Sequence, residues 1–343
     1  MKAMLLERQG PVHADSVPLR AVDVPEPVMG DEEVLLRVHA CGVCHTELDE
    51  IEGRMPPPRL PVILGHQVVG CVITTGSLVR HWQPGDRVGV AWIFSACGKC
   101  EYCLTDRENL CPYFQATGRD RDGGYAEYMT VPASFVFGIP ATFTDRQAAP
   151  LLCAGAIGYR SLRLCKLENG QALGLTGFGA SAHLVLKMAR HRFPASKVFV
   201  FARNERQRAF ALELGASWAG DITKPAPAPL DAIIDTTPAW TPTIEALSNL
   251  APGGRLVVNA IRKEEADKAA LVRLDYPSHL WLEKEIKSVV NVTRSDVSEF
   301  LDLAAELQLM PHVQEYPLAA ANEALVELKM RAVAGAKVLV IAE

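Results

Sequence analysis

Three residues scattered along the chain are of the types that hold a reactive metal ion. Cys44 lies in the run Cys41-Gly42-Val43-Cys44-His45-Thr46-Glu47, His66 in Gly65-His66-Gln67, and Cys153 in Leu152-Cys153-Ala154-Gly155. Two thiolates and one imidazole suit zinc, which is borderline-soft and accepts sulfur and nitrogen. Three protein ligands leave a fourth position open for water or substrate, and that opening separates a catalytic site from a closed structural one. Spacing alone does not select these three. Taken singly, Cys44 reads better as a small buried hydrophobe than as a ligand.

A second set is compact. Cys97, Cys100, Cys103 and Cys111 are spaced C-x2-C-x2-C-x7-C. Four thiolates so close together fit a closed tetrahedral zinc site. An iron–sulfur cluster is the rival use of four cysteines, whereas a redox motif needs only two. The chain has nine cysteines, and Glu7 and Arg8 precede any apolar run of signal-peptide length. This predicts a cytoplasmic, reducing setting, where cysteines serve as ligands rather than disulfides. A zinc ion here would brace the weakly apolar loop from Ala96 to Pro112.

A third signal is a glycine turn. The apolar run Gln171 to Thr176 leads into Gly177-Phe178-Gly179-Ala180-Ser181-Ala182, and a helical pattern follows from His183 to Arg190. This is G-x-G-x-x-G/A in its required strand–turn–helix frame. Gly177 permits the turn, Gly179 lets the backbone approach a pyrophosphate, and Ala182 is small enough for close packing. The helix start adds amide donors. An acid near the end of the next strand would bind a ribose 2′-hydroxyl. After Val198-Phe199-Val200-Phe201 that position holds Ala202, and Arg203 and Arg206 follow. These arginines suit a 2′-phosphate or open the next helix as surface residues, so NAD and NADP both stay open.

Elements must position these groups. Val34 to Ala40, Pro61 to Leu64, Val68 to Thr74 and Gly85 to Val90 read as short strands punctuated by Pro and Gly, an antiparallel, barrel-like pattern. From about Cys153 strands alternate with helices, with further strands at Ala232 to Ile234, Leu256 to Val258 and Ile286 to Val292. Asp221 to Leu230 reads as a Pro/Ala-rich loop, Ser295 to Leu309 as a helix and Lys337 to Ile341 as a closing strand. The 343 residues, 49% hydrophobic and 22% charged, are ordinary globular material. A net charge of −5 without a basic run argues against nucleic-acid binding. No apolar run reaches the roughly 18 residues of a membrane span.

With these motifs assembled, and with Gly123-Gly124-Tyr125-Ala126-Glu127-Tyr128 added, the chain resembles a zinc-dependent medium-chain alcohol dehydrogenase of bacterial type over essentially its whole length. The resemblance implies an α/β protein, with a GroES-like β-rich catalytic domain at 1–152 and 292–343. A structural zinc lobe at about 95–113 belongs to that domain. A Rossmann doubly wound parallel sheet occupies 153–291. It implies catalytic zinc on Cys44, His66 and Cys153, structural zinc on Cys97, Cys100, Cys103 and Cys111, and so two zinc ions per chain. Thr46 would bond the substrate oxygen, and Lys337 falls near the cofactor pyrophosphate. The expected reaction is reversible NAD(P)-linked oxidation of a primary or secondary alcohol by hydride transfer. A homo-oligomer is expected, a tetramer ahead of a dimer.

Three departures from the family pattern stand out. Gln67 replaces the usual Glu after the zinc histidine. Asp49 replaces a proton-relay histidine, so protons must leave through His45, through the ribose and water, or directly from Thr46. The acid after the second parallel strand is absent. Trp92 either lines a substrate pocket or belongs to the core. Two other readings share some motifs: a zinc-free quinone or enoyl reductase of the same fold, and a non-enzymatic zinc- and nucleotide-binding redox sensor. The three-ligand open site separates the first reading from both.

Overall fold

The computed structural model describes residues 1–330 and 335–342. The chain divides into two compact units, Met1–Ala156 with Asn291–Glu343, and Ile157–Val290. The first is built on β-sheet. Its largest sheet orders the strands Val136–Gly138, Arg87–Val90, Val68–Thr75, Glu33–Val43, Ala336–Val340 and Val313–Pro317, and Tyr128–Pro132 also pairs with Glu33–Val43. Neighbours are antiparallel except the last two, which are parallel. Alternation explains the long strand: Val34, Leu36, Val38 and Ala40 are all buried at 0% exposure, while Leu35 and Arg37 between them are not.

The second unit is a six-stranded parallel sheet. Trp218–Gly220, Lys197–Phe201, Ala172–Thr176, Leu230–Asp235, Leu250–Val258 and Glu285–Ser288 lie side by side in that order. Counted along the chain this is 3-2-1-4-5-6, the doubly wound dinucleotide-binding order. The strands read as continuous apolar runs because a parallel sheet is covered on both faces: Val198, Phe199, Val200 and Phe201 are all buried, as are Ala232, Ile233 and Ile234.

The structure departs from the sequence reading at particular places. The strand expected at Ile286 to Val292 stops at Ser288, and Asn291 takes a φ of 49° that breaks extended pairing. The helix after the glycine turn begins three residues earlier than expected, at Ala180, and runs to Arg192. Val313–Pro317 is a strand that the sequence reading lacked. Cys153 falls in the first unit, not at the start of the second. The helix Asp145–Pro150 widens at Leu151–Gly155 into a π turn and resumes as Ala156–Cys165. Pro150 cannot donate a helical hydrogen bond, and the turn directly after it widens. Gly155 then lets the Phe300 ring sit on the chain, since a Cβ there would lie 2.2 Å from Phe300 Cζ. That contact ties the Cys153 turn to the helix Arg294–Glu306 of the same unit.

Candidate active site

Cys44, His66 and Cys153 come together: one ligand atom from each lies within 4.8 Å of the others. Cys44 caps the short helix His45–Ile51. His66 follows Gly65, and Cys153 projects from the π turn, a distortion that recurs at functional sites. The two sulfurs are 4.0 Å apart, close to the roughly 3.8 Å edge of a tetrahedron with 2.3 Å zinc–sulfur bonds.

One residue organises this set, and the sequence reading assigned it no role. Glu47 is 0% exposed. Its Oε2 accepts from the Cys44 backbone N–H at 2.8 Å, and its Oε1 lies 2.6 Å from His66 Nδ1. The pairing fixes the imidazole so that Nε2 points the other way. Nε2 is buried and without a hydrogen-bond partner, an orphan that a metal ion would satisfy. The signal was legible as a capping-box spacing, with an acid three residues after the cap.

Electrostatics fit the same picture. Burial pushes the His66 pKa down, but the Glu47 carboxylate and the Cys44 thiolate outweigh it, so the value rises well above the ordinary one. The hydrogen bond between the two thiols holds Cys44 well below the usual thiol value and raises Cys153 well above it. A divalent ion would favour the thiolate form of both. Glu50 lies three residues beyond Glu47 on the same helix. It is 1% exposed, with both carboxyl oxygens unpartnered, and burial and then Glu47 raise its pKa well above the usual carboxyl value.

Thr46 is buried, its Oγ1 3.7 Å from Cys44 Sγ. His45 is exposed. Asp49 is not in solvent: it is 3% exposed, and Arg54 Nε donates to its Oδ1 at 2.6 Å. Gln67 is buried against Gly42, where a Cβ would meet its Oε1 at 2.6 Å. Trp92 stacks at a tilt on Phe114, centroids 5.8 Å apart.

Cys97, Cys100, Cys103 and Cys111 form the second cluster, also within 4.8 Å. Backbone N–H groups of Cys97 and Tyr113 point at Cys111 Sγ at 3.4 and 3.3 Å, the setting a thiolate ligand wants. The lobe is anchored through Glu108, 2% exposed, whose Oε1 accepts from Arg294 N at 2.9 Å and from Arg294 Nε at 3.2 Å.

In the second unit, Gly177 turns with a φ of 80°, which favours glycine. Gly179 faces open space, with nothing within 4 Å of a Cβ there. This is the room a pyrophosphate needs at the start of the helix Ala180–Arg192. Phe178 and Ala182 are buried, while Ala180 is exposed and Ser181 partly so. Ala202 is itself buried at 1% exposure, while Arg203 and Arg206 are exposed. Arg208, overlooked in the sequence, donates to the carbonyls of Ala202 and Arg203 at 2.7 and 2.8 Å. Lys337 turns its ammonium to the interior of its own unit. It is 2% exposed, and its Nζ is committed to Glu327 at 2.6 Å, Gln314 at 3.1 Å and the Tyr316 hydroxyl.

A sheet unit that brings two cysteines and a histidine within metal-holding distance, in one chain with a dinucleotide-type parallel sheet, fits the zinc-dependent medium-chain dehydrogenase class. Comparison with known proteins agrees. Residues 30–141 match the alcohol dehydrogenase GroES-like domain. The chain is 43% identical to the "Probable alcohol dehydrogenase AdhA" of Mycobacterium tuberculosis, over 99% of this chain and 97% of that one. It is 34% identical to an alcohol dehydrogenase of Geobacillus stearothermophilus, over 95% and 96%. A crystal structure of an NAD-dependent alcohol dehydrogenase superposes with a TM-score of 0.87 at 26% identity, covering 100% of both chains. The chain belongs to the zinc-type medium-chain alcohol dehydrogenase family, and it is an oxidoreductase of NAD(P)-linked alcohol oxidation. Among the described residues no helix is long and apolar enough to cross a membrane.

Metal binding needs a neutral imidazole. Because the His66 pKa is raised, protons compete with zinc at higher pH than at a free imidazole near ~6.5. Zinc affinity, measured by chelator competition across pH, should still be climbing above that value, the His66 proton adding to those that the two thiols must lose. Glu47→Gln should move the climb to lower pH and weaken binding at pH 8 by about 10–100-fold. Equal affinities for the two proteins at pH 8 would refute the role given to Glu47.

Proposed function

We propose that Cys44, His66 and Cys153 hold the catalytic zinc of this alcohol dehydrogenase. Cys97, Cys100, Cys103 and Cys111 hold a second, structural zinc, and the turn from Gly177 to Ala182 receives the pyrophosphate of NAD or NADP. The observation that carries this reading is the buried, unpartnered Nε2 of His66, with Nδ1 held by Glu47 and two sulfurs beside it. Zinc, when bound, supplies a Lewis acid that makes an alcohol hydroxyl easier to deprotonate, and the nicotinamide supplies the hydride acceptor.

The chain's own residues do the rest. Thr46 presents a buried hydroxyl beside Cys44 and takes the substrate's hydroxyl proton at Oγ1. Asp49, engaged by Arg54, does not carry that proton onward; exposed His45 does. Arg203 and Arg206 are both exposed after the second strand of the parallel sheet, and they admit a 2′-phosphate, so NADP is used as well as NAD. The outer edge of Glu285–Ser288 is unpaired among the described residues, with Ile286 and Val290 exposed beside it. A free sheet edge is a template for pairing and supports a homo-oligomer; the family resemblance puts a tetramer ahead of a dimer, and cysteines that read as ligands rather than disulfides favour the cytoplasm. A single species near 37.3 kDa in sedimentation velocity would overturn the assembly.

Cys44→Ser should abolish alcohol oxidation and remove one of two zinc ions while the protein stays folded; near-normal turnover with full zinc content would sink the ligand assignment. Cys100→Ser should act differently, lowering thermal stability because a closed zinc site contributes directly to folding. His45→Gln should slow turnover near pH 7 more than at pH 9, where hydroxide takes the proton unaided; parallel losses at both would place the exit elsewhere. Arg203→Ala combined with Arg206→Ala should cut kcat/KM for NADP about tenfold through lost charge-assisted contacts to phosphate. NAD should be unaffected, and a uniform effect on both cofactors would contradict the phosphate role.

A further inference from the structure

The strand Leu230–Asp235 ends in an acid that is 0% exposed. Asp235 Oδ1 accepts from Thr237 N at 2.9 Å and Thr237 Oγ1 at 2.7 Å. Its Oδ2 accepts from Thr243 Oγ1 at 2.8 Å and Lys263 Nζ at 2.7 Å. The Lys263 side chain is 9% exposed. Its ammonium has three donors, and the other two go to the carbonyls of Thr237 at 2.8 Å and Ala239 at 3.0 Å. All three donors of one lysine are therefore committed to a single short segment, 235–239.

That segment lies against the glycine turn. A Cβ on Gly177 would fall 2.7 Å from Thr236 Oγ1 and 2.9 Å from Thr237 Cγ2. Thr236 donates from N at 2.9 Å and from Oγ1 at 3.0 Å to the carbonyl of Thr176, the residue just before Gly177. Asp235 and Thr176 are paired across neighbouring parallel strands, so the segment sits at the carboxyl edge of the sheet, where ligands of such folds bind. A buried ion pair is a weak way to gain stability, because desolvation offsets the attraction. What a fully bonded ammonium does well is hold several backbone groups in one geometry.

We propose that Lys263 is a positioning residue for the dinucleotide. Its ammonium clamps segment 235–239 against the Gly177 turn, so that the turn and its neighbouring strand end keep their binding shape before the cofactor arrives. The inference rests on the reading of Gly177 to Ala182 as the dinucleotide turn.

The test uses the full chain and reads binding of NADH and NADPH by fluorescence titration, beside steady-state kinetics. Lys263→Met alone strands a buried carboxylate, so the informative variant pairs Lys263→Met with Asp235→Asn, which keeps the region neutral. This variant should bind the better reduced cofactor about tenfold more weakly and raise the oxidised cofactor's KM by a similar factor. Its kcat should stay within about twofold, with the alcohol's KM unchanged. Cofactor affinity within about twofold of wild type in the folded variant overturns the clamp. Wild-type protein that binds neither NADH nor NADPH overturns the dinucleotide reading, and the clamp with it. Hydrogen exchange on wild type keeps the clamp falsifiable even if the variant fails to fold. The clamp requires the amides of Thr236 and Thr237 to be protected before cofactor is added. Fast exchange there, slowed only by cofactor, contradicts it.

Discussion

Glu47 has two oxygens and uses them on two of the three residues proposed to hold a metal. One accepts from the backbone N–H of Cys44, and the other faces Nδ1 of His66. A carboxylate fully removed from water is costly unless paired and hydrogen-bonded, so the contacts that satisfy Glu47 also dictate where the two ligands stand. The imidazole has only one nitrogen left for a metal, and it points away from the acid. Cys153 then reaches the same point from a different element, because the helix containing it widens into a π turn that Phe300 pins through Gly155.

The charge balance around this centre follows from burial. Two thiolates would neutralise a divalent ion held there, and Glu47 would add one negative charge through the histidine. Burial without partners, and then the Glu47 carboxylate, push the Glu50 pKa well above the usual carboxyl value. A second ionised carboxylate would make the surroundings more negative and weaken the Lewis acid. Gln67, where the family usually has an acid, works in the same direction. Asp49 stays out of the balance because Arg54 answers it.

The α/β architecture was legible in the sequence because its signals are local. The four-cysteine spacing, the glycine turn between a strand and a helix, and the apolar runs of the parallel sheet each lie within about 15 residues. What stayed hidden depends on contacts between distant residues. Nothing near Lys263 announces that its ammonium will meet Asp235, 28 positions earlier. The surroundings of Lys337 were hidden for a related reason: a strand alternates faces, and the face it occupies turns inward to Glu327 and Tyr316. Glu47 is the instructive case, since its capping-box spacing was in plain view while its partner His66 lies 19 residues on.

The central claim is that the protein presents His66 Nε2 together with the sulfurs of Cys44 and Cys153 to one zinc ion. Anomalous diffraction at the zinc edge, from crystals of the protein as purified, tests it directly. The account predicts two peaks per chain. One is bonded to Cys44 Sγ, His66 Nε2 and Cys153 Sγ with a fourth position filled by a non-protein ligand, and the other is enclosed by Cys97, Cys100, Cys103 and Cys111. A zinc ion bonded to His66 through Nδ1, with Glu47 displaced, or no peak at the first position in a catalytically active crystal, would contradict it.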